Sequence, residues 1–258
     1  VAIENLRKAG AAAAAKKAGR IAAEGVIAQA QSADGSAVAL VEVNSETDFA
    51  AKHEDFKAFA GSVAQAAVDG APADVDALNG MSTGDASVEE ARQALITKIG
   101  ENLGVRRFER FTADEGVLGS YLHGVKIGVV VKLKGGDETL AKDIAMHIAA
   151  SNPTCISEAD MPAEVLEKEK EIFVAQARES GKPDNIIEKM IVGRMKKFLK
   201  ENTLLGQAFV KNPDQTIEAL LKEGGAEVVS YSRLEVGEGI EKKEDDFVAE
   251  VMAQAGQS

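Results

Sequence analysis

The chain has 258 residues, with 42 Asp and Glu against 30 Lys and Arg, a formal net charge of −12. Hydrophobic residues at 45 % and charged ones at 28 % give a globular composition, and so acidic a balance argues against a surface that tracks a phosphate backbone. The single cysteine, Cys155, excludes an internal disulfide, and three dispersed histidines, His53, His123 and His147, supply no zinc-type ligand spacing, so no metal site is expected. No apolar run reaches the roughly 18 residues that would span a membrane.

Val1 opens the chain in mid-helix pattern without a Met, which points to a preceding piece. Residues 3–18 are Ala-rich and read as a helix that Gly19 stops. Two β-prone runs follow, 25–30 and 37–43, separated by Asp34-Gly35, the strongest short-range hairpin cue. Asn44 begins a polar loop over 44–53. Phe56, Phe59, Val63 and Ala67 then recur at helical spacing. Residues 69–87, rich in Gly, Ala, Asp and Ser, read as loop with little fixed structure; 89–98 reads as a helix and 105–112 as a strand.

The series then recurs. Glu24-Gly25-Val26-Ile27 is echoed by Glu115-Gly116-Val117-Leu118, the strand 38–43 by 127–133, the helix 56–67 by 140–149, and the strand 105–111 by 228–236. The pattern predicts an α+β fold of two duplicated lobes, each with a small antiparallel sheet packed on helices. Two differences between the copies stand out. The first has an extended loop, 45–53, between strand and helix where the second has only 134–138. The second carries an insertion, 157–212, before its last strand, and unequal insertions are where separate tasks usually sit.

The insertion reads as an antiparallel helical hairpin, a short coiled coil. Pro162 sits at a first helical turn, and Val165, Ile172 and Phe173 mark an apolar stripe. Ser180-Gly181-Lys182-Pro183 turns the chain, and Asp184 caps a second helix carrying Ile187, Met190, Ile191, Met195 and Phe198. A last helix over 245–255 puts Phe247 and Val251 on one side. The chain thus divides into a leading helix and linker at 1–20, a first lobe at 21–113, a second lobe at 114–156 and 213–240, the inserted hairpin at 157–212, and a C-terminal helical module at 241–258.

No nucleophile elbow, metalloprotease helix or phosphate-binding loop is present, and Gly237-Glu238-Gly239 lacks the third glycine of a dinucleotide fingerprint. Cys155 has no histidine beside it in sequence and reads as a small, buried or half-buried thiol. An enzyme with chemistry of its own is not expected, nor is a cofactor. His147 reads as a helix-face histidine. The loop 44–53 leaves two readings. Phe49, flanked by Asp48 and Lys52, either folds back over the core beside Phe56 or stands out as an aromatic wedge with an adjacent carboxylate. In the second case the ring supplies binding energy, and the carboxylate can disturb a phosphate or Mg²⁺ site.

Val43-Asn44-Ser45-Glu46-Thr47-Asp48-Phe49-Ala50-Ala51-Lys52 resembles the signature of the bacterial elongation factor Ts family, E-V-N-[SC]-[QE]-T-D-F-V-A-K. The likeness continues through Lys98-Ile99-Gly100-Glu101-Asn102, Leu118-Gly119-Ser120-Tyr121-Leu122-His123-Gly124 and Ala145-Met146-His147-Ile148-Ala149-Ala150-Ser151. It extends through Ser180-Gly181-Lys182-Pro183, Gly193-Arg194-Met195-Lys196-Lys197-Phe198 and Glu235-Val236-Gly237-Glu238-Gly239-Ile240-Glu241. Two departures stand against it. Ala50 replaces the usual Val. The family's N-terminal ubiquitin-associated-like domain is expected to be missing, save a last helix resembled by residues 2–8.

The resemblance implies a cytoplasmic guanine-nucleotide exchange factor for elongation factor Tu. Thr47, Asp48, Phe49 and Ala50 would form the loop that intrudes beside the partner's Mg²⁺ and phosphate site, with Asp48 and Phe49 foremost. Met146 and His147 of the second lobe would meet the partner's third domain, and Phe247 and Val251 of the C-terminal helix its GTPase domain. It implies no cofactor, no direct nucleic-acid binding and no membrane, and it leaves a dimer of heterodimers open. The rival reading is a coiled-coil scaffold or adaptor, for example a host subunit of a larger polymerase complex, in which the loop is passive.

Overall fold

Strict alternation along two central strands organises the molecule. The computed structural model describes residues 2–179 and 181–241; the expected C-terminal helix with Phe247 and Val251 lies outside them. After α1 (Ala2–Lys17) come β1 (Glu24–Gln31), β2 (Ala37–Ser45), α2 (Asp48–Lys52), α3 (Glu54–Gly70), α4 (Val75–Asn79), α5 (Val88–Ile99) and β3 (Leu103–Thr112). The strands form a three-stranded antiparallel sheet in the order β1-β2-β3. A second such sheet, β4-β5-β8, uses β4 (Val117–His123), β5 (Ile127–Lys134) and β8 (Glu227–Glu235), with α6 (Glu138–Ser151) following β5.

Every residue of β2 is buried, because both of its faces are covered. Ala37, Ala39, Val41 and Val43 share one core with Phe56, Phe59, Val63 and Ala67 of α3. Val38 and Leu40 point the other way and pack with Val130 of β5 and Leu234 of β8. Likewise Val129, Val131 and Leu133 of β5 face Ile144, Ala145 and Ile148 of α6. The result is four layers, helix, sheet, sheet and helix, with a small apolar core between the sheets. Close approach is built in at Gly119, where a Cβ would lie 2.2 Å from the backbone carbon of Ala141 on α6.

Two segments differ from the sequence expectation. Residues 69–87 are ordered: α3 runs to Gly70, and Asp74 caps α4 by accepting from the Ala77 N–H at 2.8 Å, placing Leu78 fully inside the core. Ser87 and Glu90 form a reciprocal cap on α5. The small polar residues that suggest a loop are the caps of two helices. The segment before β8 is also richer than a helical pair. After a 3₁₀ turn at Glu158–Asp160 come α7 (Ala163–Glu179), α8 (Asp184–Asn202), a short hairpin of β6 (Ala208–Phe209) and β7 (Asn212–Thr216), and α9 (Ile217–Glu223).

α7 and α8 run in opposite senses, with Gln176 bonded to Arg194 at 2.8 Å and Phe173 edge-on to Phe198 at 6.5 Å. Ile172 is exposed, so the packed stripe passes through Phe173 and Ala177 instead. Pro183, not Asp184, is the N-cap of α8; its carbonyl accepts from Ile187 at 3.0 Å, and Asp184 lies in the first turn.

Candidate partner-binding site

β2 leads directly into α2, and the junction is tied down from several sides. Ser45 Oγ donates to the Thr47 carbonyl at 2.9 Å. Thr47 gives both its N–H, at 2.9 Å, and its hydroxyl, at 2.6 Å, to the two carboxylate oxygens of Glu101. The same hydroxyl oxygen accepts from the Ala50 N–H at 3.2 Å, which makes Thr47 the N-cap of α2. Beside it, Glu46 accepts from the Asn102 N–H at 2.6 Å, and Asn102 Nδ2 donates to the Arg20 carbonyl at 2.8 Å. α2 ends where His53 takes extended backbone, and His53 Nδ1 accepts from the Asp55 N–H at 3.3 Å to start α3.

This short helix has two faces. Ala50 and Ala51 are buried. On the outer face Lys52 Nζ reaches Asp48 at 2.6 Å, one turn away, and lies 5.6 Å from the centre of the Phe49 ring. Phe49 is 79 % exposed, while Phe56 fills the core without it. The fold-back reading of the loop is therefore overturned. The Lys52 hydrogen bond holds the Asp48 carboxyl below the usual carboxylate range, so it is ionised at neutral pH. Lys126 and Glu24 act on Asp48 from farther off, with opposite signs. Those two pair at 2.6 Å, and the Ile27 N–H donates to the Val125 carbonyl at 2.8 Å, so the β4–β5 turn stands beside α2. Val125 in that turn and Leu122 near the end of β4 are exposed.

Met146 and His147 stand apart from this face, on α6 of the second sheet. Met146 is half-buried, but His147 is fully buried. Its Nδ1 accepts from the Val210 N–H at 3.3 Å, so the proton lies on Nε2, which faces Gln207 Oε1 at 2.9 Å. Burial pushes its pKa down, against the Gln207 bond, and the ring is neutral. The side chain read as a surface contact is thus an internal support for the β6–β7 hairpin. What reaches the surface there is Val210, with Lys211 bonded to Asp143 at 2.6 Å. Cys155 is half-buried; its thiol donates to the Ser157 carbonyl at 3.2 Å, and burial and Asp160 raise its pKa away from the reactive thiolate.

The sequence reading missed Glu101 as the clamp on Thr47 and the β4–β5 turn as a neighbour. Glu101 lies 54 positions from Thr47, so no local pattern joins them, although both fall in stretches that carry the family resemblance.

Comparison with known proteins supplies the remaining observation. The family model described as Elongation factor TS matches residues 46–238, which take in α2, β3 and the whole of the second sheet. A protein of Thioalkalivibrio sulfidiphilus named Elongation factor Ts is 60 % identical over 255 residues, covering 98 % of this chain and 87 % of its own length. One of the same name from Alkalilimnicola ehrlichii is 58 % identical over 254 residues, with the same coverage. Another, from Halorhodospira halophila, is 55 % identical over 257 residues, 100 % of this chain and 88 % of its own.

The chain belongs to the elongation factor Ts family. It is a nucleotide exchange factor for elongation factor Tu in translation elongation, a cytoplasmic factor that performs no catalysis of its own. On this chain α2 presents an outward face. That face carries an exposed aromatic ring and an ionised carboxylate, held on a capped turn.

Proposed function

We propose that α2 is the wedge through which this exchange factor loosens GDP: Phe49 enters the GTPase beside its nucleotide site, and Asp48 disturbs the Mg²⁺ and phosphate positions there. The observation that carries this reading is Phe49, 79 % exposed on a turn that Glu101 clamps. No core contact has to break to deliver the ring, and burying it in a partner contributes about 2 kcal/mol. Thr47 and Ala50 act by holding the turn. Met146, with the surface that His147 supports from inside, is the contact for the partner's third domain. Phe247 and Val251 are assigned to the GTPase domain by the family resemblance alone.

We read the two sheets with their helices as copies of one duplicated unit, with boundaries at 21–113 and at 114–156 with 213–240. The pair α7–α8 is then an inserted coiled coil. Support comes from the register. The pairing of each central strand with the third strand shifts at the same place, between Glu42 and Val43 in one and between Lys132 and Leu133 in the other.

The energetics is linkage. A wedge that weakens GDP binding must itself be weakened by GDP, by the same factor, and no covalent step is needed. Titrating labelled factor with elongation factor Tu at rising GDP tests this. The apparent affinity of the intact chain falls as GDP rises, and that dependence shrinks in Phe49→Ala. An unchanged GDP dependence in the variant would remove the wedge from the account.

A further inference from the structure

Glu42 is a carboxylate with no exposed surface, on the β2 face that looks toward the second sheet. Its Oε1 accepts from the Gly237 N–H at 2.8 Å, from Asn44 Nδ2 at 3.0 Å and from Arg106 Nη1 at 3.1 Å. Its Oε2 accepts from Arg107 Nε at 2.6 Å and Arg106 Nη1 at 3.2 Å. The two arginines reach on across the junction: Arg106 Nη2 to the Glu238 carbonyl at 2.6 Å, and Arg107 Nη2 to the Glu235 carbonyl at 3.0 Å and Glu238 Oε2 at 3.1 Å. Asn44 Nδ2 also donates to the Glu24 carbonyl at 3.1 Å. One carboxylate therefore gathers donors from β2, β3 and the exit of β8. Burial pushes its pKa up, but Gly237, Asn44, Arg107 and Arg106 outweigh it, and the group is held ionised.

Gly237 is seated for this contact. Its φ is +76°, and a Cβ there would lie 2.3 Å from the Ala23 carbonyl oxygen. The apolar patch between the sheets, Ile27, Val38 and Leu40 against Val130 and Leu234, is non-directional and resists separation more than rotation. Charged hydrogen bonds at fixed angles resist rotation. A buried ion pair is weak support for stability as such, because apolar replacements often serve as well. Its place in the chain is what distinguishes this one. Glu42 lies on the strand that delivers Thr47 and Phe49, and Gly237 lies where the chain leaves the second sheet.

We propose that Glu42 is a positioning residue for nucleotide exchange: it fixes the orientation of the strand that carries α2 against the exit of the second sheet, so that Phe49 meets elongation factor Tu in register with the second sheet's contacts. The proposal rests on the reading of α2 as the wedge.

The test is GDP release from elongation factor Tu at saturating factor, for Glu42→Gln and Phe49→Ala beside the intact chain. A second readout is the distance between spin labels at Lys57→Cys and Glu241→Cys in a Cys155→Ser background. A purely structural role would lower the folded fraction and raise the amount of factor needed, leaving the plateau rate alone. The proposal expects the Glu42→Gln plateau to fall about tenfold and the label distance distribution to broaden. An unchanged plateau, or a lowered plateau with an unchanged distance distribution, overturns it. If Glu42→Gln does not fold, Arg107→Ala at the rim is judged by the same two readouts. If Phe49→Ala keeps the intact plateau, the wedge reading fails first and this proposal with it. If Phe49→Ala slows release and Glu42→Gln does not, only this proposal fails.

Discussion

The junctions that follow the two central strands are built alike up to the helix cap and diverge after it. From the shift at Glu42 to the cap at Thr47 is the same count as from Lys132 to the cap at Asp137, five residues each. Both caps accept from the N–H three positions on, Thr47 from Ala50 and Asp137 from Leu140. No residues are inserted in the first junction, contrary to the extended loop read from sequence. What differs comes after the cap. α6 runs unbroken from Glu138 to Ser151, whereas the first helix stops at Lys52, passes through extended His53, and restarts at Glu54. The second position past each cap is exposed, and it is Phe49 in one and Thr139 in the other. Under the proposed wedge role, a helix break and one change of side chain set the first junction apart from the second.

The largest effect is expected from making the first junction chemically like the second. Phe49→Thr should slow GDP release at saturating factor by tens-fold, roughly the 2 kcal/mol of a binding hot spot. Its melting temperature should stay that of the intact chain, because the ring makes no core contact. Stopped-flow release of labelled GDP, with thermal melts alongside, separates the two outcomes.

A second prediction loads the interior of the second unit only. His147 is neutral in the fold, with its pKa depressed below the ordinary 6.5 by burial. The unfolded chain then binds the extra proton, so this stability is complete above about pH 6.5 and is lost as pH falls below it. His147→Asn should show a flatter melting temperature between about pH 7 and about pH 5 than the intact chain. Parallel slopes would contradict the buried, neutral assignment.

The smallest effect is expected at the matching position. Thr139→Phe places an aromatic ring on an unbroken helix with no clamp like Glu101 among the described residues, and exchange should change by less than about twofold. A gain comparable to the loss in Phe49→Thr would mean that any exposed ring suffices.

Much of this fold could be read from residue order. Asp34-Gly35 marked the first hairpin, and Phe56, Phe59, Val63 and Ala67 marked the helix that covers it, because period and turn chemistry are local. Asp48 and Phe49 were legible as a pair out of place in a polar loop. What could not be read depends on distant partners. Thr47 is a cap in its own right, but its clamp is Glu101. His147 resembles a surface residue until Gln207, 60 positions on, supplies its partner. Glu42 resembles a solvent-facing strand charge until Arg106, 64 positions away, and Gly237, 195 away, enclose it. The break at His53 was hidden for another reason: its cap on Asp55 is local, but nothing in the residue types separates a loop from a short helix.

Fluorine NMR of the chain carrying one para-fluorophenylalanine, at Phe49, reports whether that ring enters the partner. The free protein should give a narrow, solvent-exposed signal. Adding nucleotide-free elongation factor Tu should shift and broaden it as the ring becomes buried, and excess GDP with Mg²⁺ should restore the free signal. A ring signal that stays solvent-exposed in the complex would contradict the account.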